Sequence, residues 1–249
     1  MKLPFDKVYY LHLSERNDRL EAINNNIKEL NLENIDIWWE VKYPFQTMVG
    51  NLLHHAGVLD FWHDCDRGGC YNEWRAIYCM VKSAYLRGLN SICIIEDDMI
   101  FDVSKCELIK DTFFNLPDDW EVLRFGTICP QEQIINHIYD MQSNKTITHN
   151  WFKYDTYHEH VLGTQAFVLS RKGMEEYMKL FETPWHQNMV EENSFDGGIM
   201  LGNISDWRYQ NNPCNNVDQM LNLLCNTCNT YLTYEYVVNT IKNNTSTLK

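Results

Sequence analysis

Ser91-Ile92-Cys93-Ile94-Ile95-Glu96-Asp97-Asp98 is the stretch whose reading decides the fold. Its first part is short and wholly apolar at its centre, the composition of a strand buried on both faces in the middle of a parallel sheet. Three carboxylates follow at once. Burying them unpaired would be very costly, so they belong at the carboxyl edge of the sheet, where α/β proteins bind ligands. Oxygen ligands of this kind suit Mg2+ or Mn2+. If extended backbone continues through residue 98, Glu96 and Asp98 point one way and Asp97 the other. A lone acidic triplet is more often a solvated turn; the buried strand in front of it favours a site.

Working outward, Trp74, Ile77, Tyr78, Val81, Ala84 and Tyr85 mark one stripe of a helix over 72–87, with the pair Gly68-Gly69 read as a turn before it and Gly88 as a left-handed stop after it. Lys7 to Leu13 is a β-rich run, and Ser14 is a good N-cap for a helix over 15–30 that carries Leu20, Ile23, Ile27 and Leu30. Ile35 to Tyr43 is a second strand, stopped by Pro44, and the His-containing stretch 45–70 (His54, His55, His63) is ambiguous. Downstream, helices are expected over 104–115, 171–181 and 217–225, and strands over 120–125, 163–170 and 230–238. Residues 130–160 read as irregular, and 183–216, rich in Asn, Gly and Pro, as a long loop or insertion. Strands and helices alternate along the chain, which predicts one α/β domain over residues 1–249, its mainly parallel central sheet covered by helices.

Composition narrows the function. The 249 residues are 45% hydrophobic and 22% charged, values of a globular protein. No apolar run is long enough to span a membrane. Asp and Glu number 34 against 21 Lys and Arg, a net charge of −13, which repels phosphate polymers and argues against nucleic-acid binding. The nine cysteines are odd in number and scattered, as expected of reduced thiols rather than a disulfide framework. The opening Met1-Lys2-Leu3-Pro4-Phe5-Asp6 lacks the apolar core of a signal peptide, so a cytoplasmic location is expected.

Three segments in order resemble glycosyltransferase family 25, which includes lipooligosaccharide and collagen galactosyltransferases. Leu11-His12-Leu13-Ser14-Glu15-Arg16-Asn17-Asp18-Arg19 is similar to the family opening, with His12 where Asn is usual. Gly69-Cys70, a helix and an apolar strand closing in Glu96-Asp97-Asp98 form the second segment. The third is Gly163-Thr164-Gln165-Ala166-Phe167-Val168-Leu169-Ser170-Arg171-Lys172-Gly173. A weaker match runs from Val217-Asp218-Gln219-Met220-Leu221 through Thr230-Tyr231 to Ser246. The chain departs from the family at Glu73-Trp74, where Ser-His is common.

This resemblance implies a GT-A-type, Rossmann-like sandwich and an inverting transfer of galactose or glucose from a UDP-sugar to a glycan, glycolipid or protein hydroxyl, with Mn2+ (or Mg2+) as cofactor. Asp98 is then the direct metal ligand with Glu96 beside it, and Leu13, Ser14, Arg16, Arg19, Glu96 and Asp97 bind the nucleotide-sugar. Of the two arginines, Arg16 is nearer the strand end, whereas Arg19 could equally be an exposed helix charge. Inversion needs one general base. Asp218, at a helix start, is the first candidate; Asp196, between Phe195 and Gly197-Gly198, is its rival, and Glu191-Glu192 stands behind both. Cys225 and Cys228, with Cys214, lack a clear fourth ligand for structural zinc. Trp38-Trp39 reads as half core; Trp151, Trp185 and Trp207 are candidates to stack on an acceptor sugar. Competing readings are a non-catalytic GT-A-like domain that binds sugar or protein, and a metal-dependent nucleotidyltransferase or phosphohydrolase.

Overall fold

A computed structural model of the chain describes residues 1–40, 68–126, 147–154, 165–182 and 217–241. Strand β1 (Lys7–Leu13) is followed by helix α1 (Asn17–Glu29) and β2 (Ile35–Glu40). Helix α2 (Gly68–Leu86) leads into β3 (Ser91–Glu96), and a tight turn then gives β4 (Met99–Phe101). After α3 (Cys106–Phe114) come β5 (Val122–Gly126), β6 (Trp151–Tyr154) and β7 (Ala166–Ser170). Helices α4 (Arg171–Glu182) and α5 (Val217–Leu224) precede β8 (Thr230–Thr233) and β9 (Val238–Thr240). Among the described residues, no helix is long and apolar enough to cross a membrane.

Among the described residues, seven strands form one sheet in the order β2-β1-β3-β7-β5-β8-β6. β1 pairs in parallel with both β2 and β3, and β5 with β8. β7 is antiparallel to β3 and β5, and β6 to β8. The sheet is therefore mostly parallel, with β1, β2, β3, β5 and β8 running one way and β7 and β6 against them. Side chains alternate across it. Val8, Tyr10, Cys93 and Ile95 face a core closed by Ile23 of α1 and Ile109 and Phe113 of α3. Tyr9, Leu11, Ile92 and Ile94 face a second core closed by Ile77 and Val81 of α2, Tyr177 of α4 and Leu221 of α5. The result is a three-layer α/β/α sandwich.

Several local expectations need correction. Ser14 does not cap α1: Arg16 holds that position, with no side-chain capping bond, because a turn in which the Arg16 N–H meets the Leu13 carbonyl delays the helix. Gly68 and Gly69 lie inside the first turn of α2, not in a turn before it. Gly88 does stop that helix with φ +77°, and the Leu89 N–H returns to the Ala84 carbonyl. The expected strand 230–238 is two, β8 in the large sheet and β9 paired with β4. Within 130–160, Trp151–Tyr154 forms a strand. Residues 41–67 and 183–216 lie outside the described residues, and with them His54, His55, His63, Trp185, Asp196, Trp207 and Cys214.

Candidate active site at the carboxyl edge of the sheet

The acidic triplet sits where β3 leaves the sheet. Extended structure stops at Glu96, and Asp97-Asp98 make the turn into β4, so the alternation expected through residue 98 ends two residues early. The reason is β4 itself, which pairs with β9 rather than continuing the main sheet. Its short run Met-Ile-Phe gave no separate strand signal.

Asp97 is the hub of this turn. It is only 4% exposed, and it faces the α1 side of the sheet. One carboxylate oxygen accepts from the Leu13 N–H at 2.9 Å and from His12 Nδ1 at 3.0 Å. The other is bonded to Arg19 Nη1. Register explains the meeting: Leu11 lies opposite Glu96, so the next residues of β1 reach Asp97. Arg19 is 8% exposed, which makes it a buried partner of the triplet and not an exposed helix charge. Since a carboxylate only accepts, the hydrogen of the His12–Asp97 bond sits on Nδ1. His12 is fully buried.

The turn is fastened from three further sides. The Asn26 side chain of α1 donates to the Phe101 carbonyl at 2.8 Å and accepts the Phe101 N–H at 3.1 Å. The Ile241 N–H donates to the Asp98 carbonyl at 2.6 Å. The Glu96 N–H donates to the Gln165 carbonyl at 2.8 Å, tying the triplet to the start of β7. Apolar periodicity gave no hint that Asn26 helps to build the site. Its signal was positional: Arg19, Ile23 and Asn26 fall at i, i+4 and i+7, on the face of α1 that is buried.

Asp98 is treated differently from Asp97. Burial pushes its carboxyl above the ordinary value of 3.8, the neighbouring Asp97 charge adds to this, and Arg19 and Arg16 oppose it. Its Oδ1 is buried without a hydrogen-bond partner. Two other buried atoms without partners lie at the same edge, His12 Nε2 and Gln165 Oε1. Unsatisfied buried polar atoms are uncommon in folded proteins, and three of those found among the described residues share this edge. Arg16 stands beside them. It forks onto Asp18 at 2.9 and 3.0 Å, and that bond, with Asp97 and Asp98 nearby, raises its already high pKa.

A divalent ion fits this donor set in one specific way. Among the described residues, no three His, Cys, Asp or Glu side chains converge as a closed metal cage. Mg2+-type sites do not need one: they use one or two carboxylates together with substrate phosphates. The buried, partnerless Asp98 oxygen is such a carboxylate. Leu13 and Ser14 lie at the end of β1 beside Asp97. Asp218 lies in the first turn of α5, its side chain outside the described residues. The Cys225 thiol donates to the Leu221 carbonyl at 3.6 Å, and burial pushes the Cys228 thiol up to about 11.

No protein-family profile matches this chain, and no curated protein matches it in sequence. Solved structures it is similar to include glycosyltransferases. Mouse xyloside xylosyltransferase 1 in its apo form shares 10% identity over 78% of this chain and 77% of its own, at a TM-score of 0.35. A glycosyltransferase involved in glycosylating the major capsid of PBCV-1 shares 11% over 76% of each chain, also at 0.35. The apo glycosyltransferase GlyE of Streptococcus pneumoniae TIGR4 shares 10% over 96% of this chain and 56% of its own, again at 0.35. Likeness at this level leaves the activity to be read from the chain's own site.

Proposed function

We propose that the chain is a metal-dependent, inverting glycosyltransferase of GT-A type that moves galactose or glucose from a UDP-sugar to a hydroxyl of a glycan, glycolipid or protein. The observation that carries the reading is the Asp98 oxygen, buried and unpartnered at the carboxyl edge of a mostly parallel sheet. The ordered motifs that resemble glycosyltransferase family 25 support it.

In this reading Asp98, with Glu96, holds Mn2+ or Mg2+. The ion supplies electrostatic stabilisation to a diphosphate that gains charge as the glycosidic bond breaks. The protein's own residues do the positioning. Arg19 is committed to Asp97, so it sets the turn, and Asp97 in turn orients His12 and the end of β1 at Leu13 and Ser14. Arg16, held by the exposed Asp18, is the cation placed to meet a phosphate. Asp97 lies within reach of a ribose or donor-sugar hydroxyl only through lone pairs left over from these bonds. Asp218 is the leading candidate to take the acceptor proton, with Asp196 as its rival.

The test is release of UDP. With Mn2+ and a panel of UDP-sugars, free UDP should accumulate from one donor, and Asp98→Asn should lose the metal-stimulated part. Nucleotide binding without release would favour a non-catalytic binding domain. Cleavage to UMP would favour a phosphohydrolase, and metal-stimulated release that survives in Asp98→Asn would remove that residue from its role.

A further inference from the structure

We infer that Trp39, at the carboxyl end of β2, is the surface on which the base of the donor nucleotide stacks; this rests on the nucleotide-sugar reading above. Trp38 and Trp39 have opposite fates. Trp38 turns to the α2 side of the sheet and packs edge-to-face on Tyr9, ring centroids 6.0 Å apart, as part of the core. Trp39 turns to the other face and keeps 54% of its surface exposed. An exposed indole contributes little to the core. Leu86 and Phe114 are also exposed, but they end α2 and α3 where the chain turns back towards β3 and β5, at the opposite edge of the sheet, and exposed Ile147 precedes β6, at the far end of the strand order from β2.

Trp39 is joined to the candidate site by a short chain of contacts. It lies opposite His12 in the β1–β2 register. Its ring meets the His12 imidazole edge-to-face, at 5.0 Å between centroids. His12 is itself fixed by Asp97, next to Asp98. The indole is thus held on one side by a buried ring whose Nε2 has no partner, while more than half of its surface stays accessible. In the sheet order β2-β1-β3, Trp39 stands two strand spacings, roughly 10 Å, from the end of β3. An extended nucleoside diphosphate covers such a span: with its phosphates at Asp98 and Arg16, its base comes to the end of β2. Stacking on an aromatic ring is tolerant of base identity, so Trp39 provides affinity and leaves the choice of base to hydrogen bonds.

The experiment is calorimetric titration of the full chain in MnCl2 with UDP and, separately, with inorganic pyrophosphate, which has no base. Trp39→Ala should weaken UDP binding by roughly tenfold or more and leave pyrophosphate binding unchanged. Trp39→Phe should recover most of the loss, while Trp39→Leu, apolar but not aromatic, should behave like the Ala variant. The inference is overturned if Trp39→Ala binds UDP as the wild type does, if UDP and pyrophosphate weaken together, or if Phe is no better than Leu. Wild-type protein that binds no UDP would overturn the proposed function and this inference together. Wild-type binding with an indifferent Trp39→Ala would overturn the inference alone.

Discussion

At the residue scale, adjacent aspartates have been given different work by their surroundings. Asp97 accepts from three protein donors, His12, the Leu13 N–H and Arg19, so its charge is offset where it lies. Asp97→Ala would strand the Arg19 guanidinium in a buried place and leave the Leu13 N–H without its acceptor. Breaking a buried pair from one side costs about 3–5 kcal/mol, so urea unfolding should show a loss of that order. Arg16→Ala, which breaks a pair with the half-exposed Asp18, should cost about 1 kcal/mol or less. Asp98 is the reverse case. Its carboxyl is raised in the folded state, so the ionised form is the one that folding penalises. Asp98→Asn should therefore raise the melting temperature at neutral pH while it removes metal-stimulated turnover. The gain should fade as pH falls through the raised value towards the ordinary 3.8, where the wild-type carboxyl is protonated in both states. A lower melting temperature for Asp98→Asn at neutral pH would refute the claim that burial penalises the charge by more than Arg19 and Arg16 return.

Among the elements, the sequence was most legible where structure is local. β1, β3, α2 and α4 appear close to their expected places because a run of apolar residues or a helical stripe states its own form. The β4–β9 ribbon was not legible, since three-residue strands carry no periodicity and each exists only through the other. Nor was the role of Gly173 in α4. A Cβ there would lie 2.6 Å from the Glu121 carbonyl oxygen, so α4 can approach the start of β5 only with glycine at this position. At Gly88 a Cβ would meet nothing within 4 Å, and the constraint is the left-handed backbone alone. Gly88→Ala should cost about 1 kcal/mol through backbone strain, and Gly173→Ala about 2 kcal/mol through displacement of the helix. Chemical denaturation that ranks them the other way would show that α4 shifts more easily than its packing implies.

For the whole molecule, the proposed site is a meeting of β1, α1, β3, β7 and β9 at one edge of the sheet, so a ligand bound there ties together parts distant in sequence. UDP with Mn2+ at about a hundred times its dissociation constant should stabilise the fold by about 2.7 kcal/mol, a rise of roughly 5–10 °C in melting temperature for a domain of this size. Asp98→Asn should lose most of that rise, and a wild-type protein indifferent to UDP would contradict the reading. The amino-acid sequence by itself determined the α/β class, the buried central strand, and the position of three carboxylates at its end, because hydrophobic runs, helical stripes and the cost of burying charge act over neighbouring residues. Only the tertiary structure decided that β7 enters against β3, that Asp97 is met by His12, Leu13 and Arg19 while Asp98 Oδ1 is left without a hydrogen-bond partner, and that Trp39 rather than Trp38 faces outward. Those outcomes depend on strand register and on helices packed from far along the chain, and burial of a polar group is favourable or costly only according to which distant partner arrives to meet it.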